Sequence, residues 1–151
     1  MPNSIGSCPL RSTVDPRLLR FSAGATAVVL GVVLLVIDAI RPLGLGLLAT
    51  QVALFGFTAF VSFQWSVWAQ LFARFIWPRI SAPTRLEDAR PPRFAQGVGF
   101  VLTAVALICF LAGFDVAGYV LTAIAFGATA LNAATGLCLG CKAYLMFRPV
   151  N

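Results

Sequence analysis

An all-α bundle of four membrane-spanning helices is the fold this sequence predicts. Only 11% of its residues are charged and 60% are hydrophobic, with a mean hydropathy of +0.92. A soluble domain keeps roughly a quarter of its residues charged to hold its surface in water. The apolar residues gather into four nearly uncharged runs, and the cationic residues stand between the runs. At 151 residues the chain fits one compact unit. Four spans of about 20 residues leave little for a soluble domain.

Phe21–Ile40 is the first predicted span, almost unbroken aliphatic from Val28 to Ile37, and Arg41-Pro42 is expected to end it. No small-residue cleavage pattern closes the run and a second run follows at once, so it reads as a retained span and not a signal peptide. The second span is expected from Leu43 to about Phe63. Gln64–Trp77 then carries Trp65, Trp68, Phe72, Phe75 and Ile76 at helical spacing. One helix from Gly44 to Trp77 would be about 50 Å long, against a hydrocarbon core of about 30 Å. The excess is expected to project from the bilayer or bend into the interface, with Trp65, Trp68 and Trp77 as an aromatic belt. Pro78–Pro92 is the main polar loop, in which Pro78, Pro83, Pro91 and Pro92 oppose a long helix. The third span is expected over Phe94–Gly113, followed by a short FDVAG link and a fourth span over Tyr119–Leu139. The expected organisation is a tail (1–14), a membrane domain (15–147) with halves 15–77 and 88–147 around a Pro/Arg-rich loop (78–92), and a C-terminus (148–151).

The net charge is +6, from 11 Lys and Arg against 5 Asp and Glu. A basic balance can signal nucleic acid, but these charges flank apolar runs, so no nucleic-acid partner is expected. Arg11, Arg17, Arg20, Arg74, Arg79, Arg85, Arg90, Arg93, Lys142 and Arg148 fall on one side of the expected topology, and only Arg41 falls on the other, with Asp38 and Asp115. Positive residues stay in the cytosol, which predicts a cytosolic N-terminus, C-terminus and middle loop.

The chain repeats a pattern. DPRLLRFSAG (15–24) and DARPPRFAQG (88–97) both fit D-x-R-x-x-R-F-x-x-G, matching Asp15, Arg17, Arg20, Phe21 and Gly24 with Asp88, Arg90, Arg93, Phe94 and Gly97. Each copy opens a two-helix hairpin from the same side, as in a 2+2 parallel repeat about an axis along the membrane normal. The Asp and Arg residues have two readings: a helix cap with interfacial anchors, or an anion-binding basic mouth where the copies meet.

Four cysteines are present: Cys8, Cys109, Cys138 and Cys141. Cys109 lies deep in the third span and reads as a small buried hydrophobe. Cys138-Leu-Gly-Cys141 is the one motif with chemical content, because C-x-x-C supports a reversible disulfide, a persulfide or two metal ligands. Lys142 favours the thiolate, whereas the C-terminal end of a helix dipole opposes it. The rival reading is packing: Ala123, Gly127, Ala130, Ala134, Cys138 and Cys141 would form one face of small residues on the fourth span, suited to close helix approach. With no His in the chain and four ligands needed for structural zinc, no metal is expected, and no cofactor. Gln51 and Asn132 lie within spans and should face the bundle.

VDPRLLRF (14–21), PPRFAQGVG (91–99) and ATGLCLGCKAY (134–144) together resemble the bacterial membrane family catalogued as domain of unknown function 4395. The resemblance runs from about Val14 to Met146, and its most specific part is G-x-C-x-G-C-x-x-Y, here Gly136, Cys138, Gly140, Cys141 and Tyr144. Where the family opens its first span with R-F-N-Q, this chain has Arg20-Phe21-Ser22-Ala23, and the matching Gln96 stands in the second copy. Family members often neighbour thioredoxin-like and rhodanese-like sulfurtransferase genes. The resemblance therefore implies a bacterial inner-membrane protein that handles thiols or sulfur at the cytosolic face. Cys138 and Cys141 are then the expected redox or sulfur-carrier pair, supported by Lys142, Asp15, Arg17, Arg20, Asp88, Arg90 and Arg93. The expected partners are the bilayer and a soluble thioredoxin-like or rhodanese-like protein. The alternatives are a non-catalytic subunit of a larger membrane complex or homo-oligomer, and a small sulfur-anion transporter.

Overall fold

The computed structural model describes residues 13–61, 67–80, 87–88, 90–136 and 139–147. Strand β1 (Thr13–Val14) leads into helix α1 (Pro16–Val36). Asp15 caps α1 by accepting from the Arg17 backbone N–H at 2.9 Å, and Pro16 fills the first turn. A capping Asp followed by Pro is a helix-start signal, so α1 begins before Phe21, where the apolar run alone placed it.

Helix α2 (Arg41–Phe60) contains the pair expected to end the first span. Arg41-Pro42 instead opens the second, because proline in a first turn sacrifices only an N–H that has no intrahelical partner. Beyond α2 the chain does not continue as one long helix. The short helix α3 (Val67–Leu71) runs into a π-helical turn (Phe72–Ile76) and a 3-10 turn (Trp77–Arg79). Ala69 and Phe72 pack on Leu18 of α1, and the Phe72 ring lies 5.7 Å from Phe21. The aromatic segment thus folds back on the entry to the first span.

Strand β2 (Glu87–Asp88) pairs antiparallel with β1, Thr13 opposite Asp88 and Val14 opposite Glu87. Both β2 and the start of helix α4 (Arg90–Ala112) fall inside the expected 78–92 loop. Pro91 and Pro92 stand in the first turn of α4, where proline is tolerated. The outer link shrinks to Gly113 (φ 91°) and Phe114, and helix α5 (Asp115–Thr135) starts ahead of Tyr119. Helix α5 stops at Gly136 in the left-handed region (φ 76°), and helix α6 (Leu139–Phe147) forms a separate element beyond it. The expected continuous face from Ala123 to Cys141 is therefore broken. A glycine at this position readily adopts positive φ and ends a helix, whatever the hydropathy of the residues beyond it.

Among the described residues four helices are long and apolar enough to cross a membrane: Pro16–Val36, Arg41–Phe60, Pro92–Ala112 and Asp115–Thr135. They form a closed ring in which α1 packs on α2 and α5, and α4 packs on α2 and α5. Leu30, Val33, Ile37, Leu48, Ala106, Phe110 and Ala125 make the buried core. Large apolar side chains such as Leu35, Leu111 and Val116 point outward. That exterior suits a bilayer, and helices with internally satisfied backbones are one of the two architectures a bilayer admits. The protein is a multi-pass membrane bundle.

Burial recurs between the hairpins. Thr26, Leu30 and Val33 of α1 with its C-cap Ile37 and, 73 residues on, Gly99, Thr103, Ala106 and Phe110 of α4 are all buried. Gly44, Leu48 and Gln51 of α2 and, 74 residues on, Gly118, Thr122 and Ala125 of α5 are buried too.

Candidate functional site

The end of the bundle that carries β1 and β2 also carries the candidate residues. Asp15 holds Arg17 both by its cap and by a 3.1 Å ion pair. One turn further, Arg20 donates from Nε and Nη2 to the Ala133 carbonyl and from Nη2 to that of Ala134, at 3.1–3.3 Å. Arg93, its counterpart in the second copy, donates from Nε and Nη2 to the Ala59 carbonyl at 3.3 and 3.1 Å. Each arginine thus binds carbonyls in the last turn of a neighbouring helix, which have no intrahelical partner and form the negative end of the helix dipole. Asp88 lies on β2 beside Thr13 and Arg90 opens α4. The two copies meet through backbone pairing of the strands, and Arg20 and Arg93 serve different helix ends. For Asp15, Arg20 and Arg93 the contacts are those of a cap and of helix-end anchors.

Cys138 and Cys8 lie outside the described residues. Cys141 is the third residue of α6, half-buried, and disulfide-bonded. Cys109, half-buried on α4, is a free thiol. The break at Gly136 inverts the electrostatic expectation for the motif. Cys141 stands in the first turn of a helix, where unpaired N–H groups and the positive dipole end favour a thiolate, and not at the tail of α5. Lys142 is its chain neighbour and is exposed. Helix α6 is held to the bundle by packing on α4, with the Tyr144 and Phe94 rings 5.6 Å apart. Arg20 adjoins the same junction: its Cδ is 3.7 Å from where a Cβ on Gly136 would sit. The arginine of the first copy therefore fixes the last turn of α5, from which the cysteine segment departs.

Among the described residues no group of three or more His, Cys, Asp or Glu is placed to hold a metal. Gln51 faces the bundle, as expected of an intramembrane amide, and is fully buried, with its Oε1 unpaired among the described residues. Asn132 is partly buried.

Sequence reasoning missed the main polar contact at the opposite end. Arg41 could be placed from the sequence on the same side as Asp38 and Asp115, but not paired with either. It pairs with Asp115 at 2.8 Å, donates to the Phe110 carbonyl at 2.6 Å, and lies 5.8 Å from the Phe110 ring centroid. The available signal was opposite charge at the first residues of α2 and α5, which adjacent outer turns bring together.

Neither characterised proteins nor solved structures give a significant match to this chain. A protein-family model described as Domain of unknown function (DUF4395) does match, over residues 14–148. That span takes in the strand ladder except Thr13, all four spanning helices and the cysteine segment, and the chain belongs to the family of domain of unknown function 4395.

Proposed function

We propose that this protein is a thiol–disulfide or sulfur-relay component of a bacterial inner membrane. It works at the cytosolic face through Cys138 and Cys141 with a thioredoxin-like or rhodanese-like partner. The observation that carries the reading is Cys141 itself, disulfide-bonded and in the first turn of α6. In the redox form, Cys141 pairs with Cys138, a partner thiolate attacks one sulfur of that proposed disulfide, and the other sulfur leaves as a thiolate. A second partner thiolate then resolves the mixed disulfide, so two electrons pass to the chain and the partner is oxidised. In the sulfur form, the reduced Cys141 thiolate attacks the outer sulfur of a partner persulfide. The partner leaves as a thiolate and Cys141 carries the persulfide.

The orientation proposed is N-terminus and C-terminus in the cytosol, since the strand-bearing end holds Arg17, Arg20, Arg74, Arg79, Arg93 and Lys142 and cations stay on the cytosolic side. The proposed architecture is a 2+2 parallel duplication. Its support is the equivalence of Arg20 and Arg93, the matched burial of the hairpins, and the pairing of Val14 with Glu87, which is its own counterpart 73 residues on.

Impermeant maleimide labelling of sealed vesicles, resolved per cysteine, tests both claims. Cys138 and Cys141 should label from the cytosolic face alone, and only after reduction. Equal labelling without reductant would sink the redox form, and no labelling after reduction in a folded protein would sink both forms.

A second reading, a non-catalytic subunit of a larger complex, is favoured by Gly127, which is exposed on α5 with open space beside it. Under it, Gly127→Leu should break association while Cys138→Ser/Cys141→Ser does little. Under the relay, the double serine variant loses exchange and remains assembled. The anion-transport reading has weaker support, because Arg20 and Arg93 sit on two different helix ends and are not gathered at one mouth.

A further inference from the structure

We infer that the outer groove between α1 and α5 is a binding site for one anionic diacyl phospholipid, with its phosphate on Arg20 and an acyl chain along the groove. The groove is a shallow, open depression of about 560 Å³, lined by Gly24, Ala27, Gly31 and Ala133, with Leu35 and Phe126 also in its wall. From Gly24 to Leu35 it runs about 17 Å at 1.5 Å per residue, close to the hydrocarbon depth of one leaflet, about 15 Å.

The opposite side of the bundle supplies an internal comparison. Under the proposed duplication, Ala27 corresponds to Phe100 (73 residues on) and Ala134 to Phe60 (74 residues back). There the two phenylalanine rings meet edge to face at 5.5 Å, and Phe100 closes over Gly56, 3.1 Å from where its Cβ would sit. In the α1–α5 groove the Phe126 ring lies over Gly31, 3.2 Å from where its Cβ would sit, so that stretch is covered on both sides of the bundle. The difference is at the Arg20 end, where alanine at both positions leaves the groove without the ring pair that fills its counterpart.

The charge at the groove's end selects the occupant. Arg20 is exposed one turn below Gly24, and its Nε and Nη2 are bound to the Ala133 and Ala134 carbonyls. Nη1 has no partner among the described residues, and the nearby Asp15 carboxylate is already bound by Arg17. A guanidinium fixed at headgroup depth is a phosphate donor. A second copy of the chain fits less well, because a two-fold pairing through this groove would bring two Arg20 guanidinium groups to the same depth.

The test is native mass spectrometry of the full chain extracted from bilayers of equimolar phosphatidylglycerol and phosphatidylcholine. Wild type should retain phosphatidylglycerol over phosphatidylcholine by about fivefold, the scale of one cation at a membrane surface. Ala134→Phe, at an exposed position, and the double variant Ala27→Phe/Ala134→Phe should both lose the retained lipid. Arg20→Gln should bring the two lipids to parity. Arg93→Gln, which loses the equivalent helix-end contact, should keep the preference. No preference in wild type, retention that survives Ala134→Phe in a protein of unchanged helicity, equal loss in Arg93→Gln, or a lipid-free dimer would each overturn the assignment.

Discussion

At the scale of single residues, three glycines set how closely the helices approach. A Cβ on Gly44 would lie 2.7 Å from the Ile37 Cα, one on Gly99 2.7 Å from the Phe55 ring, and one on Gly118 2.8 Å from the Phe110 ring. Within a bilayer, helices gain nothing by hiding apolar surface from one another, so close van der Waals contact at small residues has to hold them together. The three sites are not equivalent. A phenylalanine ring can turn or shift, whereas at Gly44 the obstacle is the backbone at the end of the first span. Gly44→Ala should therefore destabilise the bundle by about 1–3 kcal/mol, the usual cost of overpacking. Gly46→Ala on the same helix meets nothing within 4 Å and should be neutral or gain the roughly 0.5–1 kcal/mol by which alanine exceeds glycine in a helix. Denaturant unfolding in micelles measures both, and equal midpoints for the two variants would refute this account of the interface.

At the scale of elements, the middle of each span was legible and its ends were not. Val28–Ile37 and the aliphatic stretch before Cys109 could be read as membrane helix, because hydropathy reports which solvent a residue prefers. Hydropathy carries no information about φ. The run from Tyr119 to Leu139 is uncharged throughout, yet the helix ends at Gly136 and Cys141 belongs to the separate helix α6. The turn was signalled by Gly136 itself, and the run's length hid it. Asp15-Pro16 and Arg41-Pro42 were likewise available as starts, but an apolar window sets a helix boundary at the first hydrophobe and not at the cap. The electrostatic setting of Cys141 was misread for the same reason. Gly136→Ala tests this setting. It forces an L-residue to φ 76°, at about 1–2 kcal/mol, or else extends α5 through the junction. In the second case Cys141 leaves its place at a helix start, and its thiol should react more slowly with a neutral disulfide at fixed pH. A stability loss with unchanged thiol reactivity would show that the start of α6 does not activate the cysteine.

At the scale of the whole molecule, the two hairpins are built mainly on each other. The most extensive helix contacts, α1 with α5 and α2 with α4, cross from one half of the chain to the other. The β1–β2 ladder closes one end across the same boundary, and the Arg41–Asp115 pair joins the outer turns at the opposite end. Arg20 reaches from the first half to α5 and Arg93 from the second half to α2. A single hairpin would leave its core face, Leu30, Val33, Ile37 and Leu48 in the first half, without a partner. Association in the membrane then depends on whether the complementary half is present, and not on chain continuity between Ile80 and Glu87. Co-expression of residues 1–80 and 87–151 as separate chains should therefore yield a stable pair that co-purifies from membranes. The second chain keeps Arg90 and Arg93 beside its first span, so it should insert in the same orientation as the intact protein. Each half expressed alone should aggregate or be degraded. Two halves that are each monodisperse alone, and that do not bind when mixed, would mean that the hairpins are independent units and that the contacts crossing between them are incidental.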